Sequence, residues 1–377
     1  MGPLGILGGG QLGRMTLQAA SRLGIDVVIA ERFADSPAAR LTSQSVVFEH
    51  GWDDPNALQQ LASLTGVVTL ESEFVDWPAL QTLEDMGVRV RPTSHCVGVV
   101  QDKLLQKQAL ARAELPVPNF VQIAEPADLV QAGQEMGWPL MVKARRDGYD
   151  GRGNVVVRSR EEAEPACRQL GWPDRELFTE AFLEFECELA SLVVRGLGGE
   201  IVQYPVVQTI QDPQLHICRE VLAPAPVRAE VAVQAADVAR GAVEAVDGVG
   251  AFGVEMFLLS DGQVLVNELA PRPHNSAHYT IEACWTSQFE NHVRAVLGLA
   301  LGDASLRASA AVMVNLLGAS SEPVRIEPAL SEAHTFVHLY GKAENRPGRK
   351  MGHVTALGES VEEARERAQA AVRRVSL

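Results

Sequence analysis

The sequence predicts a mixed α/β and α+β protein: an N-terminal doubly wound parallel sheet, a central region carrying a small lid, and a small C-terminal β-rich region. Three observations lead there. Through about the first ninety residues, short apolar strands alternate with helices, the pattern that parallel strands require for their crossover connections. Beyond residue 177 the apolar runs lengthen and are punctuated by Gly-Gly or Asp-Gly, which marks antiparallel hairpins. Finally, 377 residues exceed what a single hydrophobic core usually organises. The expected domains span 1–98, 99–302 and 303–377, with the lid at about 118–182.

The elements follow in order. Leu4 to Leu7 reads as a strand and Gln11 to Leu23 as a helix stopped by Gly24. Val27 to Ala30 is the next strand. Asp54 caps a helix that Pro55 opens and that runs through Leu64. A strand at Gly66 to Leu70, a helix at Pro78 to Met86 and a strand at Val88 to Val90 complete the first domain. A helix from Gln101 to Glu114 is broken by Pro-Val-Pro. The lid reads as the strand PLMVKA, a glycine-rich loop from Asp147 to Asn154, the strand VVVR, and a helix opened by Ser159 and Glu162 in capping-box spacing. Strands at Leu177 to Phe182, Glu188 to Val194 and Ile201 to Ile210 follow, the last two joined at Gly198-Gly199. A long helix, Glu230 to Val246, precedes a hairpin centred on Asp261-Gly262. Past Gly302 come the strands AAVMVNLLG, HTFVHLYG and KMGHVTAL, then a charged helix from Val361 to Arg374.

The hairpin carries the chemistry. Asp-Gly between β-rich runs favours a two-residue type I′ turn, because both central residues need positive φ. Counting outward from such a turn places Glu255 directly across from Glu268 on one face. Opposed residues have Cβ atoms about 4.5–5.5 Å apart, and like charges there repel. A hard divalent cation would offset the repulsion; Mg²⁺ is held by one or two carboxylates plus substrate phosphates, so it implies a nucleotide. A proton on one glutamate, or a nearby arginine such as Arg272, would serve as well, and the hairpin alone leaves these open.

Composition excludes several classes. A net charge of −15 argues against a broad phosphate-neutralising surface, and so against nucleic acid as a partner. No apolar run approaches the roughly 20 residues needed to cross a bilayer, and the N-terminus lacks the pattern of a signal peptide, so a cytoplasmic enzyme is the expectation. The five cysteines are scattered and read as packed thiols.

Gly8-Gly9-Gly10-Gln11-Leu12-Gly13 satisfies G-x-G-x-x-G after a strand and before a helix, with Glu31 near the place of a ribose-binding acid. That fingerprint supports an NAD-linked dehydrogenase as the other-class alternative, although a carboxylate pair has no role in simple hydride transfer. Lys143 interrupts an apolar strand, where an unpaired ammonium would be costly and a phosphate would resolve the cost. The loop Asp147 to Asn154 carries three glycines and could close over phosphates with its backbone N–H groups. His274 and His278 stand at i, i+4 spacing, but Pro273 makes a regular metal-binding helix unfavourable.

The order of lysine, glycine-rich loop, lysine-bearing strand and carboxylate pair resembles the ATP-grasp superfamily. Over nearly the whole chain it resembles the N5-carboxyaminoimidazole ribonucleotide synthetase family. The carriers are GGGQLGRM (Gly8 to Met15), QDK (Gln101 to Lys103), GYDGRG (Gly148 to Gly153), NELAPRPHNSAH (Asn267 to His278), TSQFE (Thr286 to Glu290), MVNLLG (Met313 to Gly318) and RPGRKMGH (Arg346 to His353). The family usually has arginine where Lys103 stands, so charge is kept and bidentate geometry is given up.

The resemblance implies a pre-ATP-grasp domain, an ATP-grasp domain with its lid, and a C-terminal domain. It also implies ATP with Mg²⁺ (or Mn²⁺), bicarbonate and 5-aminoimidazole ribonucleotide as ligands, and a homodimer. ATP would lie between Lys103 and Lys143, under Gly148, Tyr149, Asp150, Gly151, Arg152, Gly153 and Asn154. Glu180, Ala181, Phe182 and Leu183 would form the hinge facing adenine, Glu188 would accept from the ribose, Gln211 would contact the nucleotide, and Asn267 would lie beside Glu255 and Glu268 at the metal. The ribonucleotide would sit against Gln11 and Leu12, reached by Glu71, Glu73, Tyr149, Asp150 and Arg152, with its phosphate on Lys342 and Arg349. Arg272, His274, Asn275 and Ser276 would hold bicarbonate and carboxyphosphate. A formate-using glycinamide ribonucleotide transformylase of the same superfamily is the nearer alternative.

Overall fold

The computed structural model describes residues 2–146, 148, 153–215, 217–319 and 324–376. The N-terminal body runs β1 (Leu4–Leu7), α1 (Gln11–Arg22), β2 (Val27–Glu31), β3 (Ser45–Val47), α2 (Pro55–Leu64), β4 (Val67–Leu70), α3 (Trp77–Asp85) and β5 (Arg89–Val90). Its five strands are all parallel in the order β3-β2-β1-β4-β5, the doubly wound topology expected from the alternation. The central strands are buried on both faces, which is why they read as continuous apolar runs such as LGIL and VVIA. Asp54 accepts hydrogen bonds from Asn56 N and Ala57 N, and Pro55 occupies the first helical position where its missing N–H is harmless.

Two helices, α4 (Ser94–Gln101) and α5 (Lys103–Arg112), stand where one helix from Gln101 to Glu114 was expected. The break is Asp102, which leaves helical geometry and caps α5 through Leu104 N and Leu105 N. The lid is β6 (Phe120–Ile123), α6 (Pro126–Met136), β7 (Leu140–Ala144), β8 (Asn154–Val157), α7 (Ala163–Gln169) and β9 (Leu177–Ala181), with its antiparallel strands in the order β6-β9-β7-β8. The expected Ser159–Glu162 capping box does not form: Glu162 instead accepts from Arg158 N at 2.8 Å, and Ser159 makes no cap bond.

The remaining strands form one sheet. They are β10 (Cys187–Arg195), β11 (Ile201–Gln203), β12 (Val207–Gln211), β13 (Cys218–Ala223), then, after α8 (Ala229–Ala245), β14 (Gly250–Leu258) and β15 (Val264–Ala270). After α9 (Thr280–Ala283) and α10 (Gln288–Leu297) come β16 (Ala310–Leu317), β17 (Thr335–Leu339), β18 (Lys350–Gly358) and α11 (Val361–Val372). The main path is β15-β14-β10-β12-β13-β16-β18-β17, with β11 paired to β10, so the C-terminal strands extend the central sheet rather than making one of their own. The single strand expected over Ile201 to Ile210 is two, because Tyr204 to Val206, with Pro205 lacking an N–H, leave the ladder. Helix α8 covers this sheet through Val231, Ala235, Val238, Ala239, Ala242 and Val243, packed on Leu189, Val193, Phe252, Val254 and Val266. Each fully buried valine or leucine there contributes about 1.5–3 kcal/mol.

The sheets are welded across α10. His292 Nδ1 accepts from Ala251 N on β14 at 3.0 Å, so its Nε2 carries the proton facing Thr69 Oγ1 on β4 at 2.9 Å. Burial holds this imidazole neutral, with its pKa pushed down to about 3.

The caps give a paired stability test. Asp54→Ala removes two capping bonds and is expected to lower the unfolding free energy by about 1 kcal/mol in urea titration. Asp76, in the same position before α3, makes no side-chain cap bond, and Asp76→Ala is expected to stay within about 0.5 kcal/mol of the parent.

Candidate active site

A cleft of about 1300 Å³ is lined from all three sheets. On its floor, β14 and β15 bring Glu255 and Glu268 into direct register, as the sequence requires, but by a different route. Leu259 N donates to Gln263 O and Gly262 N to Leu259 O, so the loop has three residues and not the expected two. Gly262 alone takes positive φ (89°), and Asp261 does not, which rules out type I′. The three-residue loop shifts the pairing by one, and a bulge at Asn267 shifts it back before Glu268. The extra residue also lets Asn267 and Glu268 both face the cleft, where strict alternation would have separated them.

The repulsion between the carboxylates is met in two ways. Glu268 accepts from Lys103 Nζ at 2.5 Å. Burial opposes charge on Glu268, but the Lys103 ammonium outweighs it and holds the pKa down to about 2. For Glu255, burial and then the charge of Glu268 outweigh the more distant Lys350 and Lys103 and push the pKa up to about 8, which favours the protonated form at neutral pH. Arg272 does not serve the pair, since its guanidinium grips Glu73 through both Nε and Nη2.

Lys103 is the first residue of α5 and is placed by Asp102, whose carboxylate also takes Arg145 Nε at 3.0 Å and Nη2 at 2.6 Å from the root of the lid loop. Lys103 N closes the contact by donating to Arg145 O at 2.8 Å. On the lid, Lys143 pairs with Glu180, whose carboxylate also meets Lys107 Nζ at 3.3 Å. Lys107 is fully buried, donates to Val266 O at 3.0 Å, and has its pKa lowered by burial to about 8. Glu188 lines the cleft and accepts from Gln211 Nε2 at 2.5 Å and Thr209 Oγ1 at 3.3 Å.

The segment Pro273 to Ala277 turns against β14 at Gly253, where a Cβ would stand 2.5 Å from His274 Cβ. His274 Nδ1 faces Ser276 Oγ at 2.8 Å and Ser276 N at 3.4 Å, which makes Nδ1 the acceptor and leaves Nε2–H facing Glu255 Oε1 at 3.7 Å. Burial and the neighbouring Arg272 push the His274 pKa down to about 3, so it offers a neutral N–H donor. His278 is not a metal partner for it: it is buried against Phe289, Tyr340 and His353, and its Nδ1 meets Gln288 Nε2 at 3.0 Å. Among the described residues no group of three or more His, Cys, Asp or Glu could hold a metal.

The glycine turn is occupied by the protein itself. Glu71 accepts from Gly10 N at 2.9 Å and Gly13 N at 3.0 Å, and Glu31 accepts from Gly9 N at 2.7 Å. The Glu71 carboxylate therefore stands on N–H groups that a dinucleotide pyrophosphate would need, which counts against the dehydrogenase reading.

Most of the expected site residues meet in this one cleft. Gln11, Leu12, Glu71, Glu73, Lys103, Lys143, Gly148, Asn154, Glu188, Gln211, Glu255, Asn267, Glu268, Arg272, His274, Asn275, Ser276, Lys342 and Arg349 all line it. Glu180 lies behind its wall as a counter-ion, and Ala181, Phe182, Leu183 and Gly153 are outside the lining. Within the segment expected to face adenine, the Glu180 carboxylate meets two ammonium groups, Lys143 and Lys107. Tyr149, Asp150, Gly151 and Arg152 lie outside the described residues. Lys342 Nζ donates to Lys350 O at 2.7 Å and Arg349 Nη1 to Glu344 O at 2.9 Å. Sequence reasoning did not single out Lys107, Arg146, Lys350, Gln288 or Asn315. Only Asn315 left a local signal, a lone amide inside the apolar run AAVMVNLL.

This lysine-flanked carboxylate pair under a small antiparallel lid defines an ATP-grasp protein. An ATP-grasp domain model matches residues 108–289, a ribonucleotide synthetase preATP-grasp domain model residues 1–101, and a phosphoribosylaminoimidazole carboxylase C-terminal domain model residues 311–367. The chain belongs to the N5-carboxyaminoimidazole ribonucleotide synthase family: it is 41% identical over 372 residues to the synthase of Synechococcus elongatus, covering 98% of this chain and 92% of that protein. It is 42% identical to the phosphoribosylaminoimidazole carboxylase of Schizosaccharomyces pombe, of which it spans 67%. A crystal structure of N5-carboxyaminoimidazole synthase from Aspergillus clavatus with ADP and 5-aminoimidazole ribonucleotide superposes with TM-score 0.88 at 36% identity, over 99% of this chain and 98% of that one.

The opposed carboxylates predict a pH-dependent stability. A proton bound by folded Glu255 stabilises the fold below the ordinary glutamate pKa of 4.5, and this contribution is lost as pH rises toward about 8. Without divalent metal, Glu255→Gln is expected to melt higher than the parent near pH 8, with the gap closing toward pH 4.5. A gap that widens on acidification would contradict this.

Proposed function

We propose that the chain catalyses ATP- and bicarbonate-dependent carboxylation of the amine of 5-aminoimidazole ribonucleotide. The product is N5-carboxyaminoimidazole ribonucleotide, formed through carboxyphosphate with release of ADP and phosphate, in de novo purine biosynthesis. The observation that carries this is the Glu255–Glu268 pair in register beside Lys103, in a chain of the synthase family. The relative solved with ADP and 5-aminoimidazole ribonucleotide supports the choice of substrate over glycinamide ribonucleotide and formate.

The two carboxylates fit a divalent cation: both are acceptor-only when ionised, both face the cleft, and only one keeps its charge in the metal-free protein. Mg²⁺ (or Mn²⁺) held by Glu255 and Glu268 would supply positive charge against the ATP phosphates. Lys103 and Lys143 would take the phosphate oxygens, and each is preorganised by an acid, Glu268 or Glu180. On this reading Lys103 would exchange Glu268 for phosphate when ATP binds, and Glu255 and Glu268 would hold the metal.

Bicarbonate would lie against Asn275, Ser276, the neutral His274 Nε2–H and the edge of Arg272, and would attack the γ-phosphate from there. Catalysis of such a transfer is mostly positioning and electrostatics. Carboxyphosphate is labile in water, so the lid loop from Gly148 to Asn154 would enclose it while the ribonucleotide amine takes up its carboxyl group. Lys342 and Arg349 would hold the ribonucleotide phosphate, and Glu73, fixed by Arg272, would face its ribose or amine. The same reading includes a homodimer acting in the cytoplasm, supported by the family resemblance and by the composition; no helix among the described residues is long and apolar enough to cross a membrane.

A coupled ADP-release assay offering each ribonucleotide with bicarbonate or formate tests the assignment; turnover that ignores bicarbonate would remove it. Glu268→Gln is expected to abolish ADP release while sparing the fold, and near-normal turnover would exclude the metal role. Arg349→Ala is expected to raise the KM for the ribonucleotide with little change in kcat, since phosphate contacts persist from ground to transition state. A change in kcat alone would contradict that placement.

A further inference from the structure

Two side-chain amides grip the His274–Ala277 turn, and no step above uses them. Gln288, fully buried at the start of α10, accepts from His274 N at 2.8 Å and donates to His274 O at 2.9 Å, so it fixes the main chain. Asn315, on β16, acts on a side chain. Its Oδ1 accepts from Asn275 Nδ2 at 3.0 Å, and its Nδ2 donates to Asn275 Oδ1 at 2.7 Å. Both amides are buried, and Asn275 borders the cleft.

A reciprocal pair of amides is degenerate on its own: turning both by 180° exchanges every nitrogen and oxygen and restores both bonds. The degeneracy is broken by a third group. Asn315 Nδ2 also donates to Cys218 O on β13 at 2.9 Å. Turned over, Asn315 would set its own carbonyl oxygen against that of Cys218, two acceptors with no proton between them, in a buried site where an unmade bond is costly.

We propose that Asn315 is a positioning residue for the carboxylation: held by the Cys218 carbonyl, it fixes the amide of Asn275 in one of two orientations and so decides which end of that amide meets bicarbonate. The proposal rests on Asn275 contacting bicarbonate. With the clasp made, Asn275 retains one N–H and one lone pair, on opposite edges of its amide. An anion with one acidic proton distinguishes those edges, and a flipped amide would present acceptor to acceptor. The device joins the turn to the strands that follow it, and it gives MVNLLG a part in the chemistry that an apolar residue in the same strand could not play.

The test compares Asn315→Ala, Asn315→Leu (close in volume, with no polar end), Asn275→Ala and the Asn275→Ala/Asn315→Ala double variant. The Asn315 variants are expected to lose on the order of 10²-fold in kcat/KM for bicarbonate, as small misplacements of reacting groups do, with KM for ATP unchanged. The double variant is expected to be no worse than Asn275→Ala, since the two residues act as a unit. Wild-type bicarbonate kinetics in the Asn315 variants, equal losses for ATP and bicarbonate, or additive losses in the double variant would overturn the proposal. Normal bicarbonate kinetics in Asn275→Ala would instead overturn the reading of Asn275 itself. Should the Asn315 variants not fold, a neutron structure of the unaltered protein decides: deuterium on the Asn275 nitrogen pointing at Asn315 Oδ1 supports the proposal, and the opposite amide orientation overturns it.

Discussion

Two like charges held in one register of a β-ladder are the constraint around which this cleft is organised. Burial and mutual repulsion oppose ionising both Glu255 and Glu268 in the metal-free protein, so Glu268 is given to Lys103 and Glu255 is pushed toward keeping its proton. The same economy recurs at other cations of the site: Lys143 and Lys107 share Glu180, and Arg272 is closed on Glu73. Lys103, Lys143 and Arg272 are thus already paired with acids before any ligand arrives. A site built this way holds its cations in place in advance, and a triphosphate would enter by taking over partners that acids hold in its absence.

The N-terminal body illustrates how a motif and its chemistry come apart. The turn from Gly8 to Gly13 has the glycines, the strand before it and the helix after it that bind a pyrophosphate elsewhere. Here its N–H groups are spent on Glu71 and Glu31, both from the strand ends of the same sheet. Backbone N–H groups at a helix N-terminus need an acceptor and favour an anionic one, but do not say whose. In this chain the acceptors are internal, and the turn becomes one rim of the cleft, bordered by Gly10, Gln11 and Leu12.

Order along the chain and order in the cleft are linked by small devices at element ends. Asp102 separates two helices and, from the break, orients both Lys103 and the root of the lid loop. Gly253 admits His274, and the bulge at Asn267 turns two consecutive side chains onto one face. Gln288 and Asn315, from a helix and a strand that follow the turn, hold its backbone and its amide. None of these devices is chemistry, yet each fixes a group that the chemistry would need.

The sequence by itself determined the α/β alternation, the parallel N-terminal sheet, the cap at Asp54 and the facing of Glu255 and Glu268, because these depend on neighbours a few residues away. It misjudged the loop that achieves the facing: a three-residue turn and a bulge produce the same register as a two-residue turn, and only the full ladder distinguishes them. It could not show that Glu71 fills the glycine turn, that Glu180 turns inward to two lysines, or that Lys107 is buried at all. Those pairings span 58 residues or more in the first case and 73 in the farther arm of the second, so no local pattern encodes them. Whether an acid binds a ligand or a neighbouring cation is settled by which side chains the fold brings within hydrogen-bond reach, and that belongs to the tertiary structure alone.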